Sequence, residues 1–251
     1  CLSSATWIWS AFDAPASIQS IDAETIRSAG PQVNLSEALS RIPGVVVLNR
    51  QNYAQDLQLS IRGFGARSTF GIRGVRLIVD GIPATMPDGQ GQAATISLPS
   101  TSRIEVLRGP LALLYGNAAG GVVQAFTADG RVPKAEAGWS LGSFRAERFG
   151  LSASGLSGSV SMLADWSRFA TDGYRDHSAA RREHFNAKLG LDLSERTRLT
   201  LVANVFDQPL SQDPLGLTRE QMQANPRQVD ASALSQDTRK TISQNQVGLV
   251  L

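Results

Sequence analysis

Residues 185–193 read FNAKLGLDL. Phe185, Ala187, Leu189, Leu191 and Leu193 alternate with Asn186, Lys188, Gly190 and Asp192. Period two with one apolar and one polar face marks a half-buried strand. The polar face here carries whole charges, Lys188 and Asp192. A dry core penalises unpaired charges, whereas a wet lumen accepts them.

Outward from this stretch the alternation recurs. It is present at 135–142, 149–154, 160–167, 199–205 and 246–251, and Asp165 adds another charge to a polar face. The connections alternate as well. Leu156-Ser157 and Ser194–Arg196 are tight, whereas 170–182 and 207–240 are long, polar and Pro/Gly-bearing. The connection near Ser143-Phe144 is short. A soluble sandwich would also alternate, but charged inner faces and tight turns opposite long loops favour an outer-membrane barrel.

Composition sets the limits. A charged fraction of 18% and a hydrophobic fraction of 42% fit a folded chain, and a net charge of +2 is too small to argue for nucleic acid. One cysteine, Cys1, and two histidines, His177 and His184, exclude an intramolecular disulfide and a Cys/His zinc site. Cys1 reads as a leftover at a cut end or as a lipid-anchored residue. No run approaches the 18 apolar residues of a membrane-crossing helix. Residues 2–12 (LSSATWIWSAF) have the texture of a signal-peptide tail without its basic start.

Before residue 134 the texture differs. Ile18–Ile21 reads as a strand and Asp22 caps a helix through Ser28. Asn34 or Ser36 starts a second helix over 35–41, stopped by Pro43-Gly44. Strands are expected at 45–48, 57–61, 75–79 and 103–107, with Gly-rich loops at 62–74, 81–91 and 109–121. This is a small α+β domain. Its glycines do not form a phosphate cradle, since no Gly-Lys-Ser/Thr follows them. No catalytic motif is present: there is no G-x-S-x-G elbow and no H-E-x-x-H. An enzyme is therefore not expected.

Four segments lie in register over the first half: 39–45 (LSRIPGV), 60–65 (SIRGFG), 76–83 (RLIVDGIP), and 104–110 (IEVLRGP) continued by 114–122 (LYGNAAGGV). In order and spacing they resemble the plug domain of TonB-dependent outer-membrane receptors. Further segments resemble the receptor type associated with pyrroloquinoline quinone (PQQ) uptake, the YncD or PqqU type. These are 63–74 (GFGARSTFGIRG), 80–92 (DGIPATMPDGQGQ), 172–177 (DGYRDH), 213–218 (DPLGLT) and 237–240 (DTRK).

The resemblance implies an α+β plug over 15–130 after an N-terminal remnant, 1–14. The first strands of an antiparallel transmembrane β-barrel follow over 131–251, about six of the ~22 strands of a plugged transporter. It implies a Gram-negative outer membrane, surrounding lipid, a small ligand (PQQ or a ferric siderophore) and energy from a TonB-ExbB-ExbD complex. Residues 1–14 show no TonB box. Strand 135–142 is expected to ascend from the periplasm, which puts 170–182 and 207–240 outside. No cofactor, metal or nucleic acid is implied.

Two plug loops are then expected to face outward with Arg67, Ser68, Thr69, Arg73, Thr85 and Asp88. An outer loop adds Tyr174, Arg175, Asp176 and His177. Arginine offers forked donors to an anionic quinone or iron chelate, and Tyr174 offers a ring to a flat one. The competing reading is that these are ordinary solvated loop residues. Arg62 and Arg108 resemble the arginines that latch a plug to barrel carboxylates, with Glu105 beside them. The competing reading is that all three tie plug strands to each other. Two further alternatives are a non-transporting plug-type binding module and a passive porin.

Overall fold

The computed structural model describes residues 17–49, 51–68, 71–86, 88–116 and 118–251. Cys1, the 1–14 remnant and Thr69 lie outside these. The described chain divides into two units, one of 17–48 and 56–128, the other of 49–55 and 129–249.

The first unit is built on a five-stranded sheet. Strand β1 (Ser17–Asp22) runs antiparallel to β6 (Thr101–Arg108), with Ile21 opposite Ile104. Asp22 ends β1 and caps α1 (Ala23–Ser28), its carboxylate accepting the Thr25 N–H at 2.8 Å. That bond, more than the nearby Arg27, holds the Asp22 carboxyl below the ordinary carboxylate range.

Helix α2 (Ser36–Leu39) is shorter than expected, and neither Asn34 nor Ser36 caps it. Glu37 reaches back instead. Its carboxylate accepts the consecutive N–H groups of Gln32, Val33 and Asn34 at 2.6, 2.9 and 2.8 Å, in the turn that leads into the helix. At the other end bonds from Arg41 to Ala38 and from Ile42 to Leu39 tighten the chain before Pro43.

Strands β2 (Val45–Leu48) and β3 (Gln58–Ile61) form a separate two-stranded sheet. Strand β4 (Val75–Val79) turns into β5 (Ile82–Pro83) through Asp80-Gly81, both at positive φ (49° and 82°), the geometry of a type I′ hairpin turn. Asp80 also accepts the backbone N–H of Thr127 at 3.0 Å and its hydroxyl at 2.5 Å.

Those bonds fix β7 (Gly121–Thr127), which lies between β6 and β4 and is parallel to β4. The sequence reads as loop up to Gly121 and marks no strand between there and residue 135. Val122, Val123 and Ala125 are all buried. A central strand covered on both faces has no alternation to read. Ile26, Leu39, Leu59, Ile61, Leu77, Ile104 and Val106 complete the core. Each such side chain contributes about 1.5–3 kcal/mol on burial.

The second unit is an antiparallel meander of six strands in chain order: β8 (Lys134–Gly142), β9 (Ala146–Ser157), β10 (Val160–Thr171), β11 (Ala180–Ser194), β12 (Thr197–Ser211) and β13 (Ile242–Val250). All six expected strands are present, and β8 and β13 are its edges. The middle strands run further into the expected loops than 170 and 207. Beyond Trp166 the outward positions turn charged, so the apolar alternation stops before the strand does.

The two faces of this sheet are inverted relative to a soluble protein. Asp165 and Asn186 are 3% and 1% exposed, whereas Phe185 and Leu189 on the other face are 37% and 44% exposed. Lys188, His184, Asn204 and Gln208 are buried on the polar face. Lys188 lies 3.5 Å from Asp129, and Asn204 bonds His184 at 2.8 Å.

The strand register aligns the outward residues into rungs. Val160, Leu191 and Leu199 align, then Met162, Leu189 and Leu201, then Ala164, Ala187 and Ala203, then Trp166, Phe185 and Val205. The next rung is Arg168, Glu183 and Asp207. From Val160 to Trp166 the strand rises about 20 Å at ~3.4 Å per residue, a large part of the ~25 Å apolar band of such barrels. Trp166 meets Phe149 edge-on at 6.0 Å at the band's upper limit, where aromatic girdles sit.

This placement has a depth-dependent consequence. In the full-length protein refolded into lipid vesicles, Ala187→Arg should cost about 2–4 kcal/mol in a urea titration, because it puts a cation near mid-band. Glu183→Arg, at the charged rung, should cost only about 0–1 kcal/mol.

Candidate functional site

In the plug, residues 64–73 and 84–92 form one loop pair. Isolated bridges join Ile72 to Gly91 and Thr85 to Gly91. Gly65 sits at φ 84° with the Leu59 carbonyl 2.6 Å from where a Cβ would be, so no side chain fits there. Arg73 and Asp88 pair at 2.8 Å, both about half exposed. The Gln90 N–H and then Arg73 hold the Asp88 carboxyl below the usual range. Two residues expected to meet a ligand therefore neutralise each other. Ser68 donates to the Gly71 carbonyl at 2.6 Å, Thr85 is half-buried, and Arg67 is exposed.

Arg62 and Arg108 come together around the Pro43-Gly44 turn. Arg108 is buried and donates to the Pro43 carbonyl at 2.9 Å, while its buried Nε has no hydrogen-bond partner. Burial first, and the like charge of Arg62 second, push the Arg108 pKa down. Arg62 is exposed at φ 50°, and its N–H bonds the Gly44 carbonyl at 3.1 Å. Glu105 does not join them. It pairs with Arg103 along β6 at 2.6 Å.

In the sheet unit the connections 143–145, 172–179 and 212–241 are knitted together. Phe144 and Arg145 stand at φ 59° and 52° in a tight turn, a costly conformation for bulky residues. The turn sets the Phe144 ring edge-on to Tyr174 at 5.3 Å and pairs Arg145 with Asp172. The Arg227 guanidinium stands 5.9 Å from the Phe144 ring and 5.8 Å from the Tyr174 ring. Tyr174 remains 43% exposed.

Its neighbours are differently placed. Arg175 spends all three guanidinium nitrogens on backbone carbonyls: Gln228 at 2.9 Å, Pro214 at 3.0 Å, and Leu215. Burial lowers its pKa, partly offset by the Asp213 and Asp230 charges. The His177 ring bonds the Thr238 carbonyl at 2.9 Å and lies 3.8 Å from Asp237. The Asp176 N–H bonds the Arg227 carbonyl at 3.0 Å.

The 212–241 excursion is itself folded. Thr218 and Gln221 form a capping box on α3 (Arg219–Ala224), and Asp230 caps α4 (Ala231–Ser235). Among the described residues no group of three metal-ligating side chains converges. The site residues expected from sequence do not include Phe144, Arg227 or Asp213: Asp213 stands inside the 213–218 motif, whereas the other two have no local pattern to mark them.

Residues 10–122 match the family model of the TonB-dependent Receptor Plug Domain. The chain is 35% identical over 122 residues to the ferric enterobactin receptor PirA of Pseudomonas aeruginosa, covering 43% of this chain and 16% of that protein. It is 36% identical over 124 residues to an iron-regulated outer membrane virulence protein of Vibrio cholerae, covering 46% of this chain and 18% of that one. The crystal structure of the siderophore receptor PirA from Pseudomonas aeruginosa superposes with a TM-score of 0.54 at 28% identity, over 78% of this chain and 36% of that one. The chain thus spans less than a fifth of the length of those two curated relatives. The expected outer-membrane location agrees with the name of the Vibrio cholerae relative.

The Arg175 fork gives a test. A lysine cannot reach three carbonyls in a plane. In the full-length protein Arg175→Lys should raise the rate of tryptic cleavage after Arg227 about tenfold, while cleavage after plug arginines stays unchanged.

Proposed function

We propose that this chain, whose residues 10–122 match the TonB-dependent Receptor Plug Domain model, belongs to an outer-membrane receptor that takes up ferric chelates. The observation that carries this is the inverted sheet following the plug on one chain, with polar residues buried and Phe185 and Leu189 bare. A plug-type binding module has no use for a lipid-facing stripe, and a passive porin has no use for a plug. Energy would come from a TonB-ExbB-ExbD complex.

Within this reading Tyr174 offers a ring and Arg227 a cation to an anionic chelate, and Arg67, on its own plug loop, offers a further cation. Ser68, Thr69 and Thr85 add hydroxyls. Arg175, Asp176 and His177 serve by holding the loop that presents Tyr174. Arg73 and Asp88 hold the two apical plug loops together.

Arg62 and Arg108 form the plug side of a latch. Two like charges brought together beside a buried, unpartnered Nε favour a carboxylate as their missing partner. Glu105, paired with Arg103, stands outside that latch.

The narrower reading, PQQ uptake, rests on the loop motifs at 63–74, 80–92, 172–177, 213–218 and 237–240. The relatives' names favour an iron chelate as the cargo to test first.

The experiment is uptake of a radiolabelled ferric catecholate by cells carrying the full-length protein. Saturable binding with uptake that stops when TonB is deleted is expected, and excess PQQ should not displace the chelate. Uptake unaffected by TonB deletion would favour the porin, and binding without uptake the binding module. Saturable PQQ binding would restore the narrower reading.

A further inference from the structure

The turn at residues 49–55 joins β2 to β3 of the plug, yet it groups with the sheet unit. It is folded on itself. The Asn49 side chain accepts the Gln51 N–H at 2.8 Å, the Asn52 side chain accepts the Ala54 N–H at 3.0 Å, and Gln51 stands at φ 52°. These side-chain bonds replace the strand ladder that stops at Leu48 and Gln58.

Its outward ties converge on the sheet. The buried Asp213 carboxylate takes the Asn52 amide at 2.8 Å on one oxygen and the Gln55 amide on the other. The Gln208 side chain, on β12, donates to the Tyr53 carbonyl at 3.0 Å. The Tyr53 ring packs 5.1 Å from Phe169 of β10. Asp213 is held in turn, its N–H on the Thr238 carbonyl at 2.9 Å and its carbonyl on the Thr238 hydroxyl at 2.7 Å.

We propose that Asp213 anchors the 49–55 turn to the sheet, so that this turn stays in place while the rest of the plug moves during uptake. The inference rests on the uptake reading. Hydrogen bonds to a buried charge are the strong ones, and removing the donors leaves that charge unsatisfied. Opening follows the weakest contacts first, so a turn held by a buried carboxylate, a glutamine and an aromatic pair is among the last to leave. Leu48-Asn49 and Gln55-Asp56 then act as the pivots. Asp213 is a positioning residue and touches no ligand.

The test uses the full-length receptor in native membranes. In one arm Tyr53→Cys and Phe169→Cys are joined by a short bismaleimide. Uptake of the ferric catecholate within about two-fold of the unlinked receptor is expected, since the linked parts do not separate. Loss of uptake with chelate binding intact overturns the proposal, whereas loss of all chelate binding by the unlinked receptor means that the uptake reading has failed instead. The second arm needs no ligand. In Asp213→Ala the amides of Tyr53, Ala54 and Gln55 should exchange hydrogen about tenfold faster while those of β6 do not change. Unchanged exchange at these three amides overturns the anchor directly.

Discussion

A backbone that crosses hydrocarbon has no water to bond, so every N–H and C=O must find a partner on a neighbouring strand. From that constraint the rest of the sheet unit follows. Strands β9 to β11 pair in continuous register, and β11 pairs with β12 without a break from Glu183 to Asp192, between two register shifts. Their outer side chains are apolar for four rungs, as contact with lipid tails would require. Their inner side chains meet neither lipid nor open water. Many are polar and buried, as Asp165, His184, Asn186, Lys188 and Asn204 are, with Leu163, Val202 and Phe206 among them; Asn204 bonds His184, and Lys188 lies 3.5 Å from Asp129. The same residues in a soluble sandwich would expose a greasy face and bury charges.

The sheet was legible in sequence because its two faces differ along most of each strand, with exceptions such as Leu163, Val202 and Phe206 on the inner face. Alternation placed all six strands. It misjudged the strand ends, because above the band Arg168, Arg181, Glu183 and Asp207 point outward and the pattern no longer reads as apolar against polar. The plug was legible from its turns and motifs rather than from periodicity. Asp22 as a cap and Asp80-Gly81 as a turn are local chemistry and could be read locally. Strand β7 could not, since it is buried on both sides, and the Glu37 carboxylate could not, since it caps by reaching backwards.

The candidate site was less legible, for a physical reason. Arginine and aspartate in a loop look alike whether they await a ligand or each other. Arg73 with Asp88, and Arg175 with three carbonyls, turned out to be satisfied within the protein. The aromatic-cation group of Phe144, Tyr174 and Arg227 is assembled from three separate connections, at the cost of two bulky residues in left-handed backbone. Nothing short of the fold brings them together. The connections 143–145, 172–179 and 212–241 are thus knitted loops, cross-braced by Arg175, Asp213 and two short capped helices, and not loose chain.

The account depends on which face of the sheet meets lipid. Nitroxide labels placed one at a time along β11, from Glu183 to Leu191 in the full-length protein in bilayers, measure this directly through collision with oxygen and with a water-soluble nickel complex. Alternation of period two is expected, with Phe185, Ala187, Leu189 and Leu191 oxygen-accessible and His184, Asn186, Lys188 and Gly190 shielded from oxygen. Greater oxygen access on the His184, Asn186 and Lys188 side, or no alternation at all, would contradict the account.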